Sequence, residues 1–306
     1  MPSVKKALSK PLTLCLHLGA HKTASTHIQR TLRSNAPLLD AQQIKVFGPD
    51  YLRRPGQNLF HLFGLFPAGD PPKTPPRERF AQMAEGAERV IFTEENFWGG
   101  LRPRPQDVGR RIYPEAEERI ARLIEAVGPV RLKLLFAVRD PIDYITSAYS
   151  QALVMDHIEP FEDFLARNSV ERVDWLDLTR RIAALEGVFR IHVWRYEDYA
   201  EVQQRMFRRL LGWKVGVRVA PYSKRVNQGL SEVAVKTLLD WQAKGREGGL
   251  ARRIRDLHPV SEEAPRFQPF DADEVAASRD WYDRQVAQIA ELPRVDLIRP
   301  KPAGGA

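Results

Sequence analysis

Short apolar runs of strand length alternate with helix-length segments along this chain, and that alternation restricts the fold more than any other feature. Residues 12–18 are an apolar run of the size of a buried strand, 44–47, 90–93 and 132–138 also read as strands, and 188–194 reads as a strand with alternating character. Between them lie segments with helical spacing. Residues 23–36 place Ile28 and Leu32 on one face, and residues 114–127 place Ile120, Leu123, Ile124 and Val127 on one face. Residues 141–153, capped by Asp140, and residues 175–185 and 199–211 also read as helices. A helix capped by Ser231 runs to Ala243, and a last one covers 272–292. Apolar strands joined by helices predict an α/β fold: a mainly parallel central sheet covered by helices on both faces. Ligands of such sheets bind at the carboxyl ends of the strands. The loops after Leu18, Thr93 and Val138 therefore carry the functional expectation.

The 306 residues fit a single domain. Two segments interrupt the alternation. Residues 49–76 hold Pro49, Pro55, Gly56, Pro67, Gly69, Pro71, Pro72, Pro75 and Pro76, broken by a short helix near 59–66. Residues 245–270 are mixed and charged. Both are expected as walls of an acceptor site, because long loops in compact domains tend to be functional. Residues 77–88 read as a helix, and residues 293–306 as a frayed tail. No apolar run approaches the ~20 residues of a membrane span, and His21 and Lys22 interrupt the first one as a signal sequence. The single cysteine, Cys15, sits in an apolar run and reads as a core residue. These features predict a soluble, cytoplasmic protein without stable membrane insertion. The net charge of +8 suits an anionic ligand. The arginines are spread out and no nucleic-acid motif appears, so a small polyanion is expected and nucleic acid is not.

The first loop reads Gly19-Ala20-His21-Lys22-Thr23-Ala24-Ser25-Thr26. A strand ends, a small-residue turn follows and a helix begins, so free backbone amides can cradle a phosphate or sulfate. Lys22 adds a charge, and Thr23, Ser25 and Thr26 add hydroxyls. An ATP-binding P-loop would place its lysine directly before the Mg²⁺-binding hydroxyl residue. Here Ser25 stands where that lysine would be, and Lys22 lies three residues earlier.

The second loop reads Val138-Arg139-Asp140-Pro141, with Ser147 and Tyr149 following on the helix. Ser147 lies about 9 Å along the helix axis from Pro141. An arginine at a strand end and a serine on the next helix can grip one phosphate from two sides, the arginine with forked donors.

Both loops together resemble the sulfotransferase family that uses 3′-phosphoadenosine 5′-phosphosulfate (PAPS), in its bacterial and carbohydrate-type branch. Lys-Thr-Ala-Ser-Thr at 22–26 resembles the family's 5′-phosphosulfate loop, usually Lys-[Ser/Thr]-Gly-Thr-Thr. Ala24 replaces the glycine and Ser25 a threonine. His21 matches the histidine often found before the lysine, and His27 stands where cytosolic animal members carry an adenine-stacking tryptophan. Arg139 and Ser147 occupy the ligand positions of the 3′-phosphate motif. The resemblance covers residues 12–245, with detailed matching in the motifs. It implies a P-loop-like three-layer fold, PAPS as donor, adenosine 3′,5′-bisphosphate as product, no metal, and a small-molecule or glycan acceptor. It implies cofactor contacts from Gly19, His21, Lys22, Thr23, Ala24, Ser25, Thr26, Arg139 and Ser147. Tyr196, in Tyr-Glu-Asp at 196–198, would lie near the adenine, and Arg225, in 224–227, near the phosphates.

Sulfuryl transfer needs charge stabilisation at the bridging oxygen, which falls to Lys22 as electrostatic stabiliser and acid. The acceptor needs a base. Glu94 and Glu95 end a strand, and Glu95-Asn96 resembles a family segment, so Glu95 and then Glu94 are the expected bases. His21 and His61 are weaker candidates. Two rival readings stay open at this point: a P-loop kinase whose Mg²⁺-binding acid is Glu94 or Glu95, and a non-catalytic nucleotide-binding module.

Overall fold

The computed structural model describes residues 11–65, 71–100, 109–223, 229–245, 249 and 251–301. Six strands form one sheet: β1 (Thr13–Gly19), β2 (Ile44–Phe47), β3 (Arg89–Thr93), β4 (Arg131–Val138), β5 (Val188–Arg195) and β6 (Val295–Leu297). Their order is β2-β3-β1-β4-β5-β6, and every pairing is parallel. The strands are apolar on both faces because both faces are covered. Leu14, Leu16 and Leu18 of β1 pack on one side with Leu134, Phe136 and Val138 of β4. Cys15 of β1 packs on the other side with Leu135 and Ala137. The α/β three-layer expectation holds, and Cys15 is fully buried.

Two helices show how the layers divide. Ser25–Ser34, which follows β1, buries Ile28 and Leu32 against the Cys15 side. Pro141–Val154, which follows β4, buries Tyr144, Ile145, Ala148 and Tyr149 against the Leu14 side. β1 and β4 are neighbours in the sheet. Their connections therefore leave to opposite faces, and a crevice opens at the carboxyl ends of the two strands, the topological switch point where open α/β sheets bind ligands. The register between β1 and β4 shifts between His17 and Gly19, where the chain turns into the first loop.

Several boundaries differ from expectation. The first helix starts at Ser25, not at residue 23, because Lys22 and Ala24 adopt positive φ. The segment 49–76 is less irregular than its prolines suggest. Pro49–Leu52 and Leu59–Phe63 are short helices, and Pro76–Ala84 begins inside the segment. Residues 66–70 of that segment lie outside the described residues. Residues 245–270 contain the helix Ala251–Leu257. The tail is not frayed throughout: Val295–Leu297 is the sixth strand. It lacks an apolar signature because a polar clasp fixes it. Asp296 accepts from His192 Nδ1 at 2.9 Å and from Arg209 Nε at 2.7 Å. No helix among the described residues is long and apolar enough to cross a membrane.

Candidate active site

The first loop is built around two backbone requirements. Gly19 has φ +79°, and a Cβ there would meet Ser25 Oγ at 2.6 Å and Glu95 Cβ at 3.2 Å. Only glycine leaves that space open and takes that φ without strain. Ala24 caps the Ser25–Ser34 helix in the left-handed region, φ 66° and ψ 18°, and no side chain caps the helix start. The first amides of the helix are thereby left for an anion. Thr23 is buried and donates its hydroxyl to the Ala20 carbonyl at 2.6 Å, which braces the loop from within. Ser25 Oγ is buried with no hydrogen-bond partner. A buried hydroxyl without a partner is costly unless a ligand supplies one.

The second loop lies alongside. Asp140 accepts from the amides of Ile142 and Asp143 and starts the Pro141–Val154 helix, as its position before Pro141 implies. Ser278 Oγ donates to Asp140, and Glu197 accepts from the Asp140 amide. The Arg139 carbonyl accepts from Trp175 Nε1 at 2.7 Å. With its backbone fixed, Arg139 is 3% exposed. Its guanidinium lies over the Tyr196 ring at 4.5 Å and donates through Nη1 to the Lys22 carbonyl at 2.8 Å. Arg139 Nε is buried and has no partner. Burial pushes the Arg139 guanidinium below its ordinary pKa, opposed in part by Tyr196 and Asp143.

Both loops open into one cavity of about 740 Å³, the size of a cofactor or small-ligand site. His21 to Thr26, Arg139, Ser147, Tyr196 and Glu95 all line it. The two anion grips expected from sequence thus face the same space. Gly19 shapes the turn without lining the cavity, Glu94 lies outside the lining, and Arg225 falls outside the described residues. His61 is exposed, bonds to Asn58 and does not reach the cavity. His27 lines the cavity edge and bonds Tyr199 Oη and the Tyr222 carbonyl.

The lining is strongly cationic. Lys22, Arg53, Arg139 and Arg266 face a single acid, Glu95, among the described residues. Lys22 Nζ donates to Gln151 Oε1 at 3.2 Å. Burial, reinforced by Arg139 and Arg266, lowers the Lys22 pKa to about 8. Arg53 donates to both oxygens of Glu94, at 2.9 and 2.7 Å, and to Glu95 Oε1 at 2.9 Å. Gln29 donates to Glu95 Oε2 at 3.0 Å. Burial raises the Glu95 pKa, but the charge and hydrogen bond of Arg53 outweigh it and hold the carboxyl below its usual value.

Several cavity residues escaped sequence reasoning. Arg266 and Val260 come from the 245–270 segment and Arg53 from the 49–76 segment, the two expected walls. Nothing local marks Arg266. Its place depends on the antiparallel bridge between Ser231 and Arg266, and on Gly229, where a Cβ would sit 3.0 Å from Arg266 Nε. Gln151 did carry a signal, since it lies one helical turn beyond Ser147 on the same face.

The chain matches no protein-family model, and no curated protein matches it. A solved structure is similar to it. The crystal structure of a sulfotransferase from Alicyclobacillus acidocaldarius aligns over 80% of this chain and 100% of that one, with 15% identity and a TM-score of 0.39.

The site also carries unpaired polar and cationic groups suited to an anion. Ser25 Oγ in the first loop and Arg139 Nε in the second are buried and unsatisfied. Lys22, Arg139 and Arg266 form no ion pair among the described residues. Three unpaired cations in one partly enclosed space attract an anion and bind it strongly once water is excluded.

Proposed function

We propose that this protein is a sulfotransferase that moves a sulfuryl group from PAPS to a hydroxyl or amine of a small-molecule or glycan acceptor. One observation carries the reading: the Lys22 loop and the Arg139–Ser147 pair line the same cavity, joined by the bond from Arg139 to the Lys22 carbonyl. The donor supplies an activated sulfuryl group on a phosphate leaving group. The first-loop amides, Ser25 and Thr26 would hold the 5′-phosphosulfate. Arg139 and Ser147 would hold the 3′-phosphate, with Tyr196 beneath the guanidinium.

Each side chain then has a task. Glu95 faces the cavity as a carboxylate and can take the proton of the attacking acceptor hydroxyl. The acceptor oxygen bonds to sulfur as the bond from sulfur to the bridging phosphate oxygen breaks. Lys22 stabilises the charge that collects on that oxygen and can protonate it. The products are a sulfate ester and adenosine 3′,5′-bisphosphate. Glu94 serves differently: it anchors Arg53, which in turn orients Glu95.

The kinase reading is weaker on geometry. A Mg²⁺ at the end of β3 would sit against the Arg53 guanidinium, which pairs with both Glu94 and Glu95 and would repel it. Calorimetric titration with adenosine 3′,5′-bisphosphate in metal-free buffer, on the wild type and on Lys22→Ala and Arg139→Ala, is the test. Binding by the wild type that both variants lose supports the donor assignment. Equal affinity in all three removes it, and a strict need for ATP and Mg²⁺ would restore the kinase.

A further inference from the structure

The amino ends of the strands, opposite the cavity, carry a face that the proposed reaction leaves unused. Gly212, at φ 92°, ends the Tyr199–Leu211 helix and starts the short helix Trp213–Gly216. That short helix is clamped: a Cβ on Gly216 would sit 2.5 Å from the backbone N and Cα of Arg208. Val215 and Gly216 are buried by this packing, and Trp213, Lys214, Val217 and Arg218 are left exposed. Trp213 is 64% exposed, the most of any large apolar side chain among the described residues, and Val217 is 38% exposed. The Arg208 guanidinium lies 4.1 Å from the Trp213 ring centroid.

Contacts extend this face along the sheet edge. A Cβ on Gly212 would meet Arg89 Nη2 at 3.6 Å, which sets Arg89, the first residue of β3, beside the Trp213 turn. Burial lowers the Lys133 pKa against the opposing effect of Cys15, and the charges of Arg89, Arg131 and Arg209 lower it further, so these four cations share one neighbourhood. Arg131 opens β4, and its guanidinium stands 3.8 Å from the ring centroid of Phe189, which is 41% exposed. Two exposed aromatic rings, each under an arginine, thus bracket a row of cations. The acids adjoining the row in the chain or in contact with it are Glu88, Glu186 and Asp296, and His192 and Arg209 already hold Asp296.

The composition of this face selects its partner. A second copy of the chain would set cations against cations, and the repulsion disfavours it. A nucleic-acid backbone would satisfy the cations and leave Trp213 and Val217 in water. A bilayer interface takes both kinds of group. Tryptophan settles at headgroup depth, the valine enters the acyl boundary, and lysine and arginine reach lipid phosphates while their stems lie along apolar surface.

We propose that this face docks on an anionic membrane surface, with Trp213 and Val217 at headgroup level and Lys214 and Arg218 against lipid phosphates. The contact is peripheral, made by side chains and not by a spanning helix. The eight residues of β4 separate it from the cavity by about 25 Å at the rise of a strand. The cavity mouth therefore opens away from the bilayer, and docking leaves it accessible. The proposal goes beyond the sulfuryl-transfer reading and does not depend on it.

The experiment sediments the full chain with vesicles of phosphatidylcholine alone and of phosphatidylcholine mixed with phosphatidylserine. The expected affinity is at least about tenfold higher for the mixture, since each lysine or arginine near such a surface contributes roughly fivefold. Raising salt from about 0.1 M to about 1 M shortens the screening length from about 10 Å to about 3 Å and should remove most of that difference. Lys214→Glu combined with Arg218→Glu should lower vesicle affinity by at least about tenfold. Its affinity for adenosine 3′,5′-bisphosphate should stay within about twofold of the wild type, as for a distant site. Brominated lipid should quench tryptophan emission in the wild type and not in Trp213→Phe, which should still bind vesicles. Equal affinity for the two vesicles, an unaffected charge-reversed variant, or quenching that persists in Trp213→Phe would each overturn the proposal. Binding to polyglutamate or to duplex DNA without binding to vesicles would overturn it in favour of an acidic protein or a nucleic acid. Failure of the wild type to bind the nucleotide would remove the donor reading and leave this face untouched.

Discussion

Arg139 Nη1 donates to the main-chain carbonyl of Lys22 at 2.8 Å, and this bond ties the loop after β1 to the loop after β4. The two loops serve helices on opposite faces of the sheet, so no covalent path of short length connects them. The guanidinium is a joint between the loops, and in the proposed reading it is a phosphate ligand as well. Replacing Arg139 with alanine should weaken adenosine 3′,5′-bisphosphate by about 2 kcal/mol or more, the scale for losing a buried charge-assisted contact. Arg139→Lys should recover little of it, because a single ammonium cannot serve the carbonyl and the phosphate in a planar fork. Titration calorimetry reads both, and a lysine variant of wild-type affinity would contradict the dual role.

Lys22 gives the site a pH dependence near neutrality. Burial and the charges of Arg139 and Arg266 bring its pKa to about 8. The ammonium is charged below that value, and its anion grip weakens as pH rises through it. Nucleotide affinity should fall between about pH 7.5 and 9.5 in the wild type, the titration range of such a group, and stay flat there in Lys22→Ala. A bound anion raises the lysine pKa, so binding above pH 8 should take up a proton. The calorimetric heat would then depend on the buffer's ionisation enthalpy. A heat independent of buffer would exclude Lys22 from the anion contact.

Adjacent carboxylates with different surroundings should fail differently. Glu95 lines the cavity, and Glu94 is buried behind it in a two-pronged pair with Arg53. Glu95→Gln should lower turnover by about 10²-fold or more, the usual range for a lost general base, with nucleotide affinity preserved. Glu94→Gln should destabilise the fold by about 2 kcal/mol or more through the charge left on Arg53, visible in denaturant unfolding. Because Arg53 holds Glu95 below the ordinary carboxylate range, the acid limb of turnover should lie below that range too. A wild-type turnover in Glu95→Gln would move the base elsewhere in the cavity.

The fold was legible where single strands and helices speak for themselves. Ile44–Phe47 and Tyr199–Leu211 have the boundaries their patterns imply, and Asp140 and Ser231 cap the helices they precede. The two loops that line the cavity were legible because each is local, a strand end plus the next helix. The rest depends on long-range partners. β6 is three residues fixed by Asp296 to His192 and Arg209, a clasp over a sequence distance no periodicity reports. Arg266 enters the cavity by pairing with Ser231. Arg53 reaches Glu94 and Glu95 from a proline-rich segment that reads as irregular. His21 matched a family pattern, but its tie to Tyr113 and Asn96 required the fold.

Gly19 and Ala24 should answer substitution with opposite signs. Gly19→Ala forces a Cβ to within 2.6 Å of Ser25 Oγ at a φ of +79°, so Ser25 must turn away and nucleotide binding should weaken together with stability. Ala24 holds a left-handed conformation that costs a non-glycine residue roughly 1 kcal/mol. Ala24→Gly relieves that cost, partly offset by the extra freedom of glycine in the unfolded chain. The expected net change is a gain between zero and about 1 kcal/mol, and Ala24→Val should instead lose stability. Denaturant midpoints of the three variants decide it, and a destabilised Ala24→Gly would show that the loop backbone relaxes elsewhere.

His17 should make the fold sensitive to acid. It lies at the end of β1 with 1% exposure, and its Nδ1 is 2.8 Å from Thr93 Oγ1 while Nε2 has no partner. Burial lowers its pKa to about 4, only partly opposed by Glu95. The unfolded chain therefore binds a proton between about pH 6.5 and 4 that the folded chain refuses. Stability is unaffected by this group above the unfolded value and falls as pH drops through the window, by about 3 kcal/mol in all. His17→Gln keeps a polar side chain near Thr93 without a titrating ring. That variant should be less stable than the wild type at pH 7 yet lose less on acidification. Urea unfolding at pH 7 and pH 4.5 compares them. Parallel losses in the two proteins would mean that the ring is already hydrated in the folded state, and that the crevice floor beside β1 admits water.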